Sequence, residues 1–165
     1  GEHIDADIIV TATGLEIVFA GGIKATIDGD PLEISERLTY KGMMLEGVPN
    51  FAFAIGYSNA SWTLKVDLTA DYVTKLLNHM HNNGLQQVTV DGTNAEHSDA
   101  PLFGLNSGYI NRAANRMPRQ GAAFPWKVKM SYLADYNAMK RKPYLDEYTK
   151  FTNPKRSAKK DSVNV

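Results

Sequence analysis

Apolar positions in the first part of the chain fall in short runs that are closed by turn residues. Residues 6–14 are rich in β-branched side chains and end in a glycine, which predicts a buried central strand of an α/β sheet. Residues 16–45 alternate apolar runs with Gly and Asp turns, so a short antiparallel meander is predicted there. A second buried strand is predicted at residues 51–55, directly before Gly56.

The spacing of apolar positions changes after Gly56. Residues 61–80 place apolar side chains mostly three and four positions apart and are followed by Asn-Asn-Gly, which predicts an amphipathic helix of about five turns. Residues 87–90 predict a short strand, and residues 107–116 and 127–141 predict two further helices separated by Pro and Gly. From residue 153 onward Pro, Ser and Lys dominate, and we expect a disordered tail.

Composition narrows the class of protein. The chain has 165 residues, of which 43% are apolar, and this is enough for a sizeable core. The absence of Cys excludes a disulfide scaffold, a thiolate zinc module and a thiol nucleophile. The apolar runs are short and the start is acidic, so we predict a soluble cytoplasmic protein. Because the chain opens without Met and enters a strand-like segment at once, we interpret it as a piece of a longer protein.

Charge is balanced overall but not along the chain. Residues 1–110 hold 5 basic and 14 acidic side chains, whereas residues 111–165 hold 13 basic and 4 acidic ones. We therefore expect the two parts to attract each other, and we expect salt to weaken that contact. The basic part, with aromatic residues interleaved, also allows a module that binds nucleic acid or an anionic surface, although the acidic part would repel phosphates.

The residues most informative about chemistry are 49–62, where the second predicted strand turns into the long helix. A strand that ends in Gly and turns into a helix leaves free helix N–H groups and a positive dipole end at the edge of the sheet. An electron-rich ligand would fit there. The structural alternative is that Gly56 only makes the turn and that Ser58, Asn59 or Ser61 caps the helix.

Residues 56–60, Gly-Tyr-Ser-Asn-Ala, also come close to the nucleophile elbow Gly-x-Ser-x-Gly. This similarity allows a serine hydrolase with Ser58 as the nucleophile. Ala60 replaces the final Gly of the motif, and only Asp91 and His97, in one polar loop, could complete a triad in the required order.

Metal binding is not predicted. His79 and the histidine two positions later point to different sides of a helix, so they cannot share a metal ion. Asp67 and Asp71 could pair as carboxylates, but with Lys65 and Lys75 nearby we interpret them as a solvated helix face.

Several ordered motifs resemble a known family. Residues 7–15, Asp-Ile-Ile-Val-Thr-Ala-Thr-Gly-Leu, resemble the Asp-x-Ile-Val-x-Ala-Thr-Gly segment of class B flavin-dependent monooxygenases. Residues 40–44, 47–50 and 56–65 resemble the continuation of that segment in the Baeyer–Villiger branch. The resemblance extends through residues 107–109, 118–121 and 125–126, so it covers nearly the whole chain except the tail.

This resemblance implies the fold class and the domain organisation. The chain would be the C-terminal part of an α/β flavoprotein with two dinucleotide-binding domains, built from short buried strands and a β-meander followed by helices. Residues 1–15 would cross from the NADPH domain to the FAD domain, residues 16–150 would be the C-terminal part of the FAD domain, and residues 151–165 would be a basic, disordered tail. The family's Gly-x-Gly-x-x-Gly motifs and its Phe-x-Gly-x-x-x-His fingerprint do not occur in this chain.

The resemblance also implies the function. The intact protein would use FAD, NADPH and O₂ to insert one oxygen atom into a ketone or onto a soft heteroatom such as a sulfide, and this chain alone would be inactive. No nucleic acid partner and no obligatory membrane are expected, the oligomeric state stays open, and no catalytic residue falls within the chain. The residues expected to face the cofactor are Thr13, Gly14, Gly56, Tyr57, Asn59, Ser61, Trp62 and Thr63.

Overall fold

The computed structural model describes residues 1–98, 100, 102–103, 108–141 and 144–154. Its strands are short and pair two by two in antiparallel fashion. The strand pairs are β1 (Thr26–Ile27) with β2 (Asp30–Pro31), β3 (Thr39–Tyr40) with β4 (Met44–Leu45), β5 (Gln87–Val90) with β8 (Thr149–Thr152), and β6 (His97–Ser98) with β7 (Gln120–Gly121). The first two pairs are separate hairpins within the region of the predicted meander, and β2 does not pair with β3.

Helix α1 (Trp62–Asn82) is the longest element and confirms the helix predicted at residues 61–80. Its buried side chains are spaced three and four positions apart and are Lys65, Leu68, Thr69, Tyr72, Leu76 and Met80. The helix ends in a Schellman motif: the amide of Leu85 donates to the carbonyl of Met80, and Gly84 adopts a φ of +62°. The Gly predicted to stop the helix therefore does so.

The core forms where α1 packs against the β3–β4 hairpin and the β5–β8 pair. Its fully buried members include Tyr40, Met44, Leu68, Tyr72 and Val90. The strand predicted at residues 87–90 is confirmed as β5, and its partner β8 comes from the far end of the described chain. Phe151 and Thr152 therefore belong to a strand and not to the predicted tail, while residues 155–165 lie outside the described residues.

The C-terminal helices are shorter than the pattern predicts. Helix α2 (Gly108–Ala113) continues as a 3₁₀ turn (Ala114–Arg116), which confirms the predicted helix over its described part. Helix α3 (Tyr132–Tyr136) runs into a turn of π-helix (Asn137–Arg141), but residues 127–131 are not helical. Met130 explains this difference, because its φ of +47° cannot be part of a right-handed helix.

The two predicted buried strands are wrong in this structure. Residues 6–14 form no strand, and Ile8, Ile9 and Val10 are 82%, 81% and 84% exposed. A buried strand needs partners along its edges, and no described residue pairs with this segment. Residues 51–55 alternate between half-buried and exposed, and Phe53 alone among them donates a described backbone hydrogen bond, to Met43.

The whole is a mixture of helices and short strands, in agreement with an α/β assignment in general terms. Among the described residues, no helix combines the length and the apolar character needed to cross a membrane.

Candidate functional site

The turn that leads into α1 is folded tightly onto the helix. Gly56 is buried, and a Cβ atom at this position would lie 2.3 Å from Cγ and 2.7 Å from Cα of Trp62. No side chain fits in that space, so the close approach of Trp62 requires a glycine. The indole of Trp62 itself is 60% exposed and forms an outer surface of the turn.

The first turn of α1 has no side-chain cap. Ser61 occupies the N-cap position, but its hydroxyl lies 2.7 Å from the hydroxyl of Thr63 instead of bonding to a backbone amide. Ser61, one of the three residues that the structural alternative offered as a cap, therefore does not cap the helix through its side chain. Asn59, Ser61 and Thr63 are exposed beside the amides of Trp62 and Thr63, whereas the next amide, that of Leu64, donates to the Ser61 carbonyl at 3.3 Å. This end of the helix can donate backbone hydrogen bonds to a ligand that carries acceptor atoms.

A buried ion pair lies directly beneath the turn. The Tyr57 hydroxyl donates to Oδ2 of Asp135 at 2.7 Å, and Nζ of Lys65 lies 2.6 Å from the same oxygen. Lys65 also donates to the backbone carbonyl of Lys41 at 3.4 Å. Tyr57 is buried with its hydroxyl bonded in the interior, so its side chain does not face the outer surface as the sequence prediction expected.

Burial controls the titration of this cluster. It raises the pKa of the Tyr57 hydroxyl, and the neighbouring Asp135 carboxylate raises that pKa further. Burial also lowers the pKa of Lys65, and the Asp135 carboxylate opposes that change. Tyr57 is therefore a neutral donor, and the Lys65 ammonium is held in the interior by its carboxylate partner.

Sequence reasoning missed this cluster. It placed Lys65 on a solvated face, whereas Lys65 is buried on the apolar side of α1. A signal was present, because Lys65 lies three positions before Leu68 and seven before Tyr72, which are both in the core stripe. The other pair on the predicted solvated face is confirmed: Nζ of Lys75 lies 2.8 Å from the Asp71 carboxylate at the surface.

A second buried cluster follows the same plan at the β3–β4 turn. The Tyr40 hydroxyl donates to Oδ2 of Asp146 at 2.7 Å, and Nζ of Lys41 lies 3.2 Å from that oxygen. Nζ of Lys41 also donates to the carbonyl of Tyr144 at 3.0 Å. Lys41 adopts a φ of +51°, an uncommon conformation for a residue with a side chain, and these contacts hold it there.

Thr13 and Gly14 lie elsewhere on the surface. They line a cleft of about 320 Å³ together with Tyr109, Arg112 and Arg116 of the α2 region. Arg116 forms an exposed ion pair with Glu16 at 2.5 Å on the rim of this cleft. The predicted cofactor residues therefore fall into two groups: residues 56–63 lie together at the start of α1, and residues 13–14 lie in a separate cleft.

The other candidate sites gain no support from the described residues. The Asp91 carboxylate accepts hydrogen bonds from the amide and hydroxyl of Thr93, and no described contact joins it to Ser58 or His97. A group of three or more His, Asp and Glu side chains that could hold a metal ion is absent from the described part of the chain.

Comparison with known proteins identifies relatives over most of the chain. A probable FAD-binding monooxygenase, AlmA, from Acinetobacter baylyi is 54% identical over 147 residues, which is 88% of this chain and 30% of AlmA. Two proteins of Mycobacterium tuberculosis are also similar: the FAD-containing monooxygenase EthA is 42% identical over 151 residues, and the putative FAD-containing monooxygenase MymA is 46% identical over 147 residues. No family model and no solved structure matches the chain.

These relatives confirm the resemblance to flavin-dependent monooxygenases that the motifs indicated. The aligned region covers about nine tenths of this chain in each comparison. The chain spans only about 30% of the length of these relatives.

Proposed function

We propose, from its similarity to FAD-containing monooxygenases, that this chain forms the C-terminal part of the FAD-binding region of an NADPH- and O₂-dependent monooxygenase. The observation that carries the proposal is the 54% identity to a probable FAD-binding monooxygenase over 88% of the chain. In this reading, residues 1–15 enter from an NADPH-binding domain and residues 16–150 complete the FAD-binding domain. The intact protein inserts one oxygen atom into a ketone, as a Baeyer–Villiger enzyme does, or onto a soft heteroatom such as a sulfide.

The start of α1 fits the polar edge of a flavin ring. That edge carries carbonyl oxygens and ring nitrogens that accept hydrogen bonds, and the uncapped amides of the first turn are donors without a side-chain partner. Ser61, Thr63 and Asn59 add side-chain donors beside these amides, and the exposed indole of Trp62 adds a flat apolar surface. When bound, FAD would supply the redox chemistry, taking electrons from NADPH and delivering them to O₂.

The contribution of this chain to such chemistry is electrostatic. The N-terminal end of a helix carries about half a positive elementary charge, so it favours negative charge on a group bound there. Fixed dipoles of this kind act without reorganising during the reaction. Because residues 56–63 contain no ionisable acid or base other than the buried hydroxyl of Tyr57, we assign them to binding and orientation.

The exposed apolar segment near the start of the chain supports an incomplete domain. Ile8, Ile9 and Val10 are more than four fifths exposed, which is unusual for three consecutive β-branched residues. We propose that this segment becomes a buried strand when the rest of the protein supplies its partners. Thr13 and Gly14 would then lie at the crossing between the two domains.

Flavin content tests the proposal. The longest reading frame that contains this chain should be expressed, desalted and measured by visible absorption, with the 165-residue chain treated in parallel. We expect stoichiometric FAD in the longer protein, with NADPH oxidation that depends on O₂ and on an added ketone or sulfide. We expect the 165-residue chain to lose FAD on desalting, because residues 56–63 would contact only the flavin ring and the chain lacks the Gly-x-Gly-x-x-Gly strand and helix that bind the phosphates.

Two results would contradict the proposal. A longer protein that binds no flavin would exclude the monooxygenase function. A stoichiometric yellow complex of the 165-residue chain would exclude its assignment to an incomplete domain.

A further inference from the structure

Two largely buried triads of the same composition join residues 132–154, which we call the C-terminal segment, to the middle of the chain. We name them the turn triad, which consists of Tyr57, Lys65 and Asp135, and the hairpin triad. The hairpin triad consists of Tyr40, Lys41 and Asp146. In each triad the tyrosine hydroxyl donates at 2.7 Å to the same carboxylate oxygen that the lysine ammonium contacts. The two triads therefore make closely similar contacts at two places in the fold.

Only the turn triad encloses the proposed cofactor-facing residues. Tyr57 comes directly after Gly56, and Lys65 lies in the first turn of α1. Because both side chains end on one oxygen of Asp135, they close residues 58–64 into a loop that is fixed at both ends. The hairpin triad fixes the β3–β4 turn to the segment before β8 and does not include any of these residues.

Stability alone is a poor explanation for the turn triad. A buried ion pair is costly to desolvate, and apolar residues of similar volume often stabilise a protein as well or better. A carboxylate oxygen with two directed donors differs from an apolar contact because it fixes the direction of both chain segments. In the loop so fixed, Ser58 is half-buried and residues 59–64 are exposed, and Trp62 packs against Gly56.

We propose that Tyr57 and Lys65, acting through Asp135, are positioning residues for residues 58–63. The triad holds the first-turn amides of α1 and the Ser61 and Thr63 hydroxyls in the geometry that receives the flavin edge. This inference rests on the proposed function for the identity of the ligand. The triad residues are buried, and Asp135 comes from the C-terminal segment, so they control a surface that their own side chains do not form.

A pair of matched substitutions tests the proposal in the 165-residue chain. Tyr57→Phe and Tyr40→Phe each remove a hydroxyl that donates at 2.7 Å to the carboxylate of its triad, and each leaves the Lys–Asp pair in place. The Tyr40 hydroxyl also contacts the hydroxyls of Tyr72 and Thr149, so Tyr40→Phe removes more contacts than Tyr57→Phe does. We expect the backbone order parameters of residues 58–63, measured by NMR relaxation, to fall from about 0.85 towards 0.6 in Tyr57→Phe. We expect them to stay unchanged in Tyr40→Phe. Equal values in the two variants would overturn the proposal.

The same variants in the longer, FAD-loaded protein separate this inference from the proposed function. We expect the dissociation constant for FAD to rise about tenfold in Tyr57→Phe and to change less than about twofold in Tyr40→Phe, although the melting temperature of Tyr40→Phe should fall at least as far. Equal flavin affinity in the two variants would overturn the positioning role and leave the monooxygenase function standing. Absence of FAD from the unmodified protein would instead overturn the proposed function, and with it the ligand named here, while the order parameters still decide whether the triad positions the turn.

Discussion

At the residue scale, the sequence around Gly56 allows two interpretations of the role of this glycine. A glycine between a strand-like run and a helix can face a ligand or can simply allow a turn. The structure adds a third reason, since the space where a Cβ would stand is filled by Trp62. The glycine is required by packing within the turn, whatever binds on the outer face.

Replacing Gly56 should therefore destabilise the chain without any ligand present. We expect Gly56→Ala to lower the free energy of unfolding by about 1–3 kcal/mol, because the new methyl group forces the backbone of Trp62 to move. Denaturant unfolding measures the change. Gly108→Ala is the matched control, because there the nearest atom is the flexible end of the Arg112 side chain at 3.3 Å. An equal effect of the two substitutions would show that Trp62 does not restrict position 56.

A buried tyrosine gives a second expectation at this scale. Burial raises the pKa of Tyr72 to about 12 from an ordinary value of 10.0. The folded state then keeps this proton while the unfolded state releases it, so the stabilising contribution is complete below pH 10 and is lost as the pH rises towards 12. Two pH units correspond to about 3 kcal/mol.

The variant Tyr72→Phe removes this contribution, together with the contacts of the hydroxyl to Tyr40 and Lys41. We expect its free energy of unfolding to fall less steeply between pH 10 and 12 than that of the unmodified chain, because one proton no longer distinguishes the two states. Lys41 and Lys65, whose pKa values are lowered by burial, act in the opposite direction in both proteins. Identical slopes for the two proteins would contradict the raised pKa of Tyr72.

At the scale of elements, the sequence predicted the helices and strands that depend on the spacing of nearby apolar residues. Helix α1 was predictable because its apolar stripe repeats over many turns and its Asn-Gly end has a specific stop geometry. Strand β5 was predictable from its β-branched residues. Its partner β8 was not, because β8 is only four residues long, its second half was assigned to the predicted tail, and strand pairing depends on distant residues.

The wrong strands fail for the same physical reason. Residues 6–14 have the composition of a buried strand, but composition does not supply neighbours, and no described residue pairs with them. The turn at Gly56 and the helix behind it were predicted as a site, whereas the Asp135 carboxylate beneath them was not. Asp135 is far from Lys65 in the sequence, and charged residues are expected at the surface unless a partner is known.

At the scale of the whole molecule, only some ion pairs join an acidic side chain of residues 1–110 to a basic side chain of residues 111–165. Exposed pairs of the expected polarity join Glu16 to Arg116 and, at 3.9 Å, Asp71 to Lys140. The buried pairs have the reverse polarity, because their lysines come from the acidic part and their aspartates come from the basic part. Docking of the C-terminal segment therefore depends on individual buried contacts and much less on the overall charge of each part.

This arrangement changes what salt should do. Screening weakens exposed pairs and has little effect on buried ones, so we expect the C-terminal segment to stay docked at high ionic strength. Limited digestion with trypsin measures this, and we expect cleavage after Lys140 and Arg141 at similar rates in low and high salt.

Asp135→Asn should accelerate that cleavage at least about tenfold, since it leaves the buried Lys65 ammonium without its carboxylate. Glu16→Gln, which removes an exposed pair, should leave the rate unchanged. Faster cleavage of the unmodified chain in high salt would show instead that the surface charges hold the two parts together.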